Sequence, residues 1–138
     1  MGGPKRTTRV WFTLIIASLI LSIPMSAYAG TYVPTSTWNL STAGQYNFYG
    51  KASVSNLFTN YLFTGVSSAR ISCVNRSTTT SLKVRLMRDD PFVDTSVSTV
   101  TILKNGTTTW TVTGLSSTRK YYVKFEAPCD FTGYIRKP

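Results

Sequence analysis

Histidine is absent from this chain of 138 residues, and acids are scarce: five Asp and Glu stand against fifteen Lys and Arg. General acid–base catalysis uses histidine more than any other side chain, so the enzyme reading starts without its commonest part. Cysteine is limited to Cys73 and Cys129, and neither has a histidine to activate it as a nucleophile. A transition-metal site is disfavoured for the same reason. No sustained helical period, internal repeat or second domain can be read in the chain after residue 29.

What is present begins with an export signal. Lys5, Arg6 and Arg9 precede an almost unbroken apolar run from Val10 to Ile23. Fourteen residues suit the hydrophobic core of a signal peptide and fall short of the roughly 20 that a permanent anchor needs. Pro24 ends the helix, and Ala27-Tyr28-Ala29 places small residues where a signal peptidase reads them. The expectation is a signal peptide helix over residues 1–29, cleavage before Gly30, and one exported domain over 30–138.

That domain has a usual single-domain size. Three of the fifteen basic residues leave with residues 1–29 and none of the five acids does, so the remainder carries a net charge of +7. Such a charge draws a protein toward anionic wall polymers, acidic lipid headgroups, acidic glycans or nucleic acid, and it also serves simple solubility. Export carries Cys73 and Cys129 to a compartment where thiols pair, and one intramolecular bond is available to them. A loop of about 56 residues closed by that bond would add about 4 kcal/mol of stability in the chain-entropy model.

Short runs rich in Val, Ile, Thr, Tyr and Phe recur about every 10 residues with turn residues between them, which predicts an all-β antiparallel sandwich of seven or eight strands. Leu82 to Met87 alternates most cleanly, with Leu82, Val84 and Leu86 on one face and Lys83 and Arg85 on the other. Ser96 to Leu103, the Asn105-Gly106 turn and Thr107 to Val112 read as a hairpin. Gln45 to Lys51, Asn56 to Thr64, Ala69 to Asn75, Lys120 to Glu126 and Phe131 to Arg136 read as further strands, with Gly30 to Trp38 as an arm or edge strand. Pro128 puts a break between the last two.

Thr111-Val112-Thr113-Gly114-Leu115, followed six residues after the leucine by Tyr121, resembles the corner between strands E and F of fibronectin type III domains. That resemblance implies an immunoglobulin- or fibronectin-III-like sandwich in which the Tyr121 hydroxyl bonds back to the corner backbone. It implies no activity. Ser117 stands where that corner usually has proline, and Cys129 lies eight residues past Tyr121, which does not match immunoglobulin cysteine spacing.

Candidate sites are few. Asp89, Asp90 and Asp94 share one loop and form a weak candidate for calcium, or for a two-carboxylate hydrolase with Glu126 or Asp130. Asp is also a favoured turn former, and the loop lacks an EF-hand's spacing. Lys83, Arg85, Arg88, Tyr122, Lys124 and Arg136, if their strands are neighbours, form a basic and aromatic binding face for phosphate or carboxylate groups. The same residues also read as a solvated outer face that blunts edge-to-edge aggregation. Trp38, Trp110, Tyr46, Tyr49 and Tyr61 would serve sugar binding only if an exposed pair or triplet stood in line, because a domain this small needs most aromatics for its core. Nucleic acid lacks a recognised motif.

The expected function is therefore that of a secreted, non-enzymatic, cationic β-sandwich that needs no cofactor. It would bind an anionic cell-wall polymer, an acidic glycan or a membrane surface. The alternative is a secreted effector with a protein partner, antimicrobial or toxin-like or an inhibitor of an exoenzyme.

Overall fold

Alternation of apolar and polar side chains decides which way each strand of this domain faces, and it is visible in the burial of almost every long strand. A computed structural model describes residues 26–138, so the signal peptide helix expected within residues 1–25 lies outside the described residues. The strands are β1 (Ser26–Tyr28), β2 (Thr37–Asn39), β3 (Tyr46–Ala52), β4 (Leu57–Phe58), β5 (Leu62–Thr64) and β6 (Ala69–Asn75). They continue with β7 (Leu82–Arg88), β8 (Thr95–Ile102), β9 (Thr107–Val112), β10 (Tyr121–Phe125) and β11 (Cys129–Arg136). Among the described residues there is no helix.

The strands form two sheets that pack against each other. One runs β1-β3-β11-β6-β9, and the other runs β2-β5-β10-β7-β8 with β4 also paired to β10. Between them lie Phe48, Ile71, Val84, Leu86, Val123, Phe125, Phe131 and Ile135, each at most 1% exposed. Phe125 and Phe131 stack with ring centroids 3.6 Å apart, and Phe48 closes on Phe125 at 5.1 Å. Truncating one of these rings to alanine should cost about 3–5 kcal/mol, which makes this triplet the energetic centre of the contact between sheets. Gly133 faces inward beside it, and a Cβ there would meet Phe48 and the Ser72 carbonyl. Only glycine lets β11 approach β6 this closely.

Three expectations change. Both sheets are mixed rather than antiparallel, because the short edge strands β1 and β2 run parallel to β3 and β5. Eleven strands replace seven or eight, partly because Asn56 to Thr64 divides in two. Thr59 is fully buried there; its N–H still donates to the Val123 carbonyl, but its hydroxyl, which donates to the Tyr61 carbonyl, takes the place of a backbone acceptor for the Val123 N–H. The Asn105-Gly106 turn does not close a hairpin, since β8 and β9 belong to different sheets. A type I′ turn needs positive φ at both central residues, and of these two only Asn105 has it, at 57°. The turn is instead bound to the end of β6 and the segment after it, through Asn75 N–H to Gly106 O and Asn105 N–H to Ser77 O. The true hairpin is β7–β8, paired from Leu82 opposite Ile102 to Arg88 opposite Thr95 with a register shift between Leu86 and Met87, and the acidic loop closes it.

Candidate functional site

Leu82, Val84 and Leu86 turn inward on β7, so Lys83 and Arg85 turn out; Val123 and Phe125 on β10 do the same for Lys124. The antiparallel register sets Lys124 directly opposite Arg85 and Tyr122 opposite Met87. Five of the six expected binding residues thus share one sheet, with Arg88 at the end of β7. Arg136 does not join them. β11 pairs with β3 and β6, which puts Arg136 on the other sheet of the domain.

The assembled face carries less free charge than its sequence suggests. Glu126 accepts from Arg85 Nε at 3.0 Å and lies 3.8 Å from Lys83 Nζ, and Arg85 also reaches Thr99. Arg88 makes a fork to both oxygens of Asp90, at 2.9 and 3.2 Å. Of these four cations, Lys124 alone has no acid within ion-pair distance among the described residues. Tyr122 is unavailable to a ligand: it is 3% exposed, packs edge-on to Phe58 and donates its hydroxyl proton to Asp94. Burial first, and then the Asp94 carboxylate, raises the Tyr122 pKa above the usual phenol range and keeps that proton in place.

The three aspartates do not converge on a cation. Asp90 is occupied by Arg88, by the Thr95 hydroxyl and by Arg119 at 3.4 Å, while Asp94 accepts from Tyr122 and from the Asp90 N–H. Among the described residues no group of three Asp, Glu, Cys or His could hold a metal. The Arg88 and Thr95 bonds lower the Asp90 pKa, which is the wrong direction for a general acid. The network instead makes a stiff base for the loop tip, where Phe92 is 99% and Val93 80% exposed.

Cys73 and Cys129 are free thiols, against the expectation of a bond. Cys73 stands opposite Gly133, four residues along β11 from Cys129, with Phe131 and Asn75 paired in between. Four residues extend about 13 Å along a strand, and a disulfide tolerates Cα separations only up to about 7 Å. Burial pushes the Cys73 thiol pKa up to about 12 and raises that of Cys129 as well, so both are inert in place.

Most of the aromatics considered for sugar binding fill the interior. Trp38, Tyr46 and Tyr61 pack on one another with centroids 5.3 to 5.6 Å apart, and Trp110 packs against the core. Tyr49 is the exception, at 42% exposure on the outer face of β3. That face holds what sequence reasoning missed. On β6, Arg70, Ser72 and Val74 turn outward, and register sets Arg70 directly opposite Arg136 of β11. The Arg136 guanidinium carbon lies 5.1 Å from the centre of the Tyr134 ring, and Arg70 Nε is 3.5 Å from the Thr111 hydroxyl. Neither arginine has an acid within ion-pair distance among the described residues. The alternation of Ala69 to Asn75 marks Arg70 as outward, but no local signal names its neighbour.

No family model, curated protein or solved structure matches the chain.

Proposed function

We propose that this chain is exported, processed after Ala29, and acts as a non-enzymatic immunoglobulin- or fibronectin-III-like sandwich that binds an anionic or glycan surface at the cell envelope or beyond it. The sandwich reading is supported by Tyr121, whose hydroxyl accepts a hydrogen bond from the Ser116 N–H at 2.9 Å in the corner between β9 and β10. It is also supported by the pairing of β6 with β9 in one sheet and β7 with β10 in the other, as strands B, E, C and F pair in that architecture. The departure is β11, which lies beside β6 instead of β10. A role without catalysis fits the missing histidine and an Asp90 held ionised by its arginine.

One observation carries the binding reading: Arg70 and Arg136 face each other across β6 and β11 with no carboxylate to separate them. Like charges set directly opposite destabilise a sheet by a few tenths to about 1 kcal/mol, and an anionic ligand shared by both forks removes that repulsion. Retention of the purified protein on anionic matrices should fall as salt rises, and Arg70→Gln with Arg136→Gln should weaken it more than Lys104→Gln does. Retention that ignores both salt and these arginines sinks the reading.

The effector alternative has its own support in the exposed Phe92–Val93 tip on its braced loop, the kind of anchor that fills a pocket on a partner protein. Growth arrest of a neighbouring strain, or stoichiometric inhibition of an exoenzyme, abolished by Phe92→Asp, would favour it over surface binding.

A further inference from the structure

The outer face of the β1-β3-β11-β6-β9 sheet has a composition that narrows its ligand. Register arranges its side chains in rows across the strands: Lys51 and Asp130 form an ion pair at one end, Nζ to Oδ2 4.0 Å, and three further rows follow. Tyr49, Thr132, Val74 and Thr107 form the first, and Asn47, Tyr134, Ser72 and Thr109 the second. Arg136, Arg70 and Thr111 form the third. Successive rows lie two residues apart, so the Tyr49 row and the arginine row are separated by roughly 13 Å. Within these three rows there is no acid and one aliphatic side chain, Val74. Ser72 and Thr109 share a hydrogen bond of 2.8 Å, which holds hydroxyls in fixed positions in the middle of the face.

Each part excludes a class of ligand. A membrane interface calls for several projecting apolar side chains, and the one aliphatic side chain in these rows is Val74. A nucleic acid backbone calls for cations spread along its length, and here the two unpaired arginines sit at one end while Lys51, at the other, is paired with Asp130. A sugar chain suits all of it: a pyranose ring stacks on an exposed tyrosine, its hydroxyls exchange bonds with Thr, Ser and Asn, and a carboxylate or sulfate takes the paired guanidinium forks. The Tyr134 ring lies 5.1 Å from the Arg136 guanidinium carbon, a cation–π contact between neighbours on this face.

We propose that this face binds an acidic oligosaccharide, with Tyr49 as the stacking platform and Arg70 and Arg136 as the clamp for its anionic group. This rests on the anionic-surface reading above and names the ligand within it. Tyr28 packs edge-on to Tyr49 at 5.2 Å and lies before the proposed cleavage point, so processing after Ala29 uncovers more of the Tyr49 ring.

Affinity electrophoresis of the purified protein in gels containing polygalacturonate, its methyl ester or a sulfated glycan tests the proposal, with sedimentation on phosphatidylglycerol-rich vesicles alongside. The expected result is retardation by the acidic glycans and not by the methyl ester. It should be weakened about tenfold by Tyr49→Ala and by Arg70→Gln with Arg136→Gln. Tyr49→Phe, which keeps the ring, should retain it, and this guards against a folding defect. Vesicle binding equal to glycan binding and indifferent to Tyr49→Ala overturns the glycan assignment while leaving the anionic-surface reading in place. No response to any anionic probe overturns both.

Discussion

Tyr121 sits with its ring between the sheets and its hydroxyl at the corner backbone, so one side chain links packing to chain direction. Tyr121→Phe keeps the ring and strands the Ser116 N–H, and urea unfolding should show a loss of about 1 kcal/mol. An unchanged midpoint would mean that water replaces the phenol without penalty. Cys73 and Cys129 give a second check at this scale. Intact mass of the unreduced protein should show two free thiols, unreactive to iodoacetamide when folded and both alkylated in denaturant. A mass lower by two hydrogens would show that oxidation rearranges the pairing of β6 and β11.

The β7–β8 loop depends on Asp90 more than on any other residue at the scale of the elements. Its folded pKa is depressed, chiefly by the Arg88 hydrogen bond, so the stability it contributes is present above the ordinary carboxylate range and is lost as pH falls through the folded value. Wild type and Asp90→Asn should differ in Tm near neutrality, and the gap should begin to close at about pH 4 and vanish only below the lowered folded value. A gap that stays constant with pH would remove the ion pair as its cause. Phe92, at 99% exposure, should by contrast be replaceable by Asp within about 0.5 kcal/mol.

Strand β1 poses a different question, because Ala29 is buried, its N–H bonds the Tyr49 carbonyl, and Gly30 exchanges both backbone bonds with Phe58. The bond between Ala29 and Gly30 is therefore enclosed by the fold, and a protease would reach it before the domain closes. A chain that starts at Gly30 should be less stable than one that starts at Ser26 by about 2 kcal/mol, from lost burial and edge hydrogen bonds. Equal denaturation midpoints would show that β1 merely rests on the edge of β3.

Across the whole molecule, the positive charge is distributed unevenly. Lys51, Lys83, Arg85, Arg88 and Arg119 are matched by Asp130, Glu126 and Asp90, while Arg70 and Arg136 stand together unmatched. Net charge, +10 over the whole chain, therefore states how strongly an anion is attracted over distance and says nothing of where it settles. In a variant series at fixed net charge, pairing Lys83→Gln with Arg85→Gln should reduce retention on an anionic matrix less than pairing Arg70→Gln with Arg136→Gln. The reverse order would return the binding face to the sheet that sequence reasoning chose.

Sequence alone determined the period-two burial of β3, β6, β7 and β11, the position of the Tyr121 corner and the scarcity of catalytic groups, because each depends on residues within a few positions of one another. Tertiary structure decided which strands became neighbours. Asn105-Gly106 carries a strong hairpin signal, yet β9 leaves β8 to pair with β6, where Ile71 and Trp110 sit in register. The same long-range choice placed Phe131 between the two cysteines and brought Arg136 across from Arg70 instead of beside Lys124. Strand partnership is settled by burial of both inner faces at once, a free energy summed over the whole core, and no local pattern contains that sum.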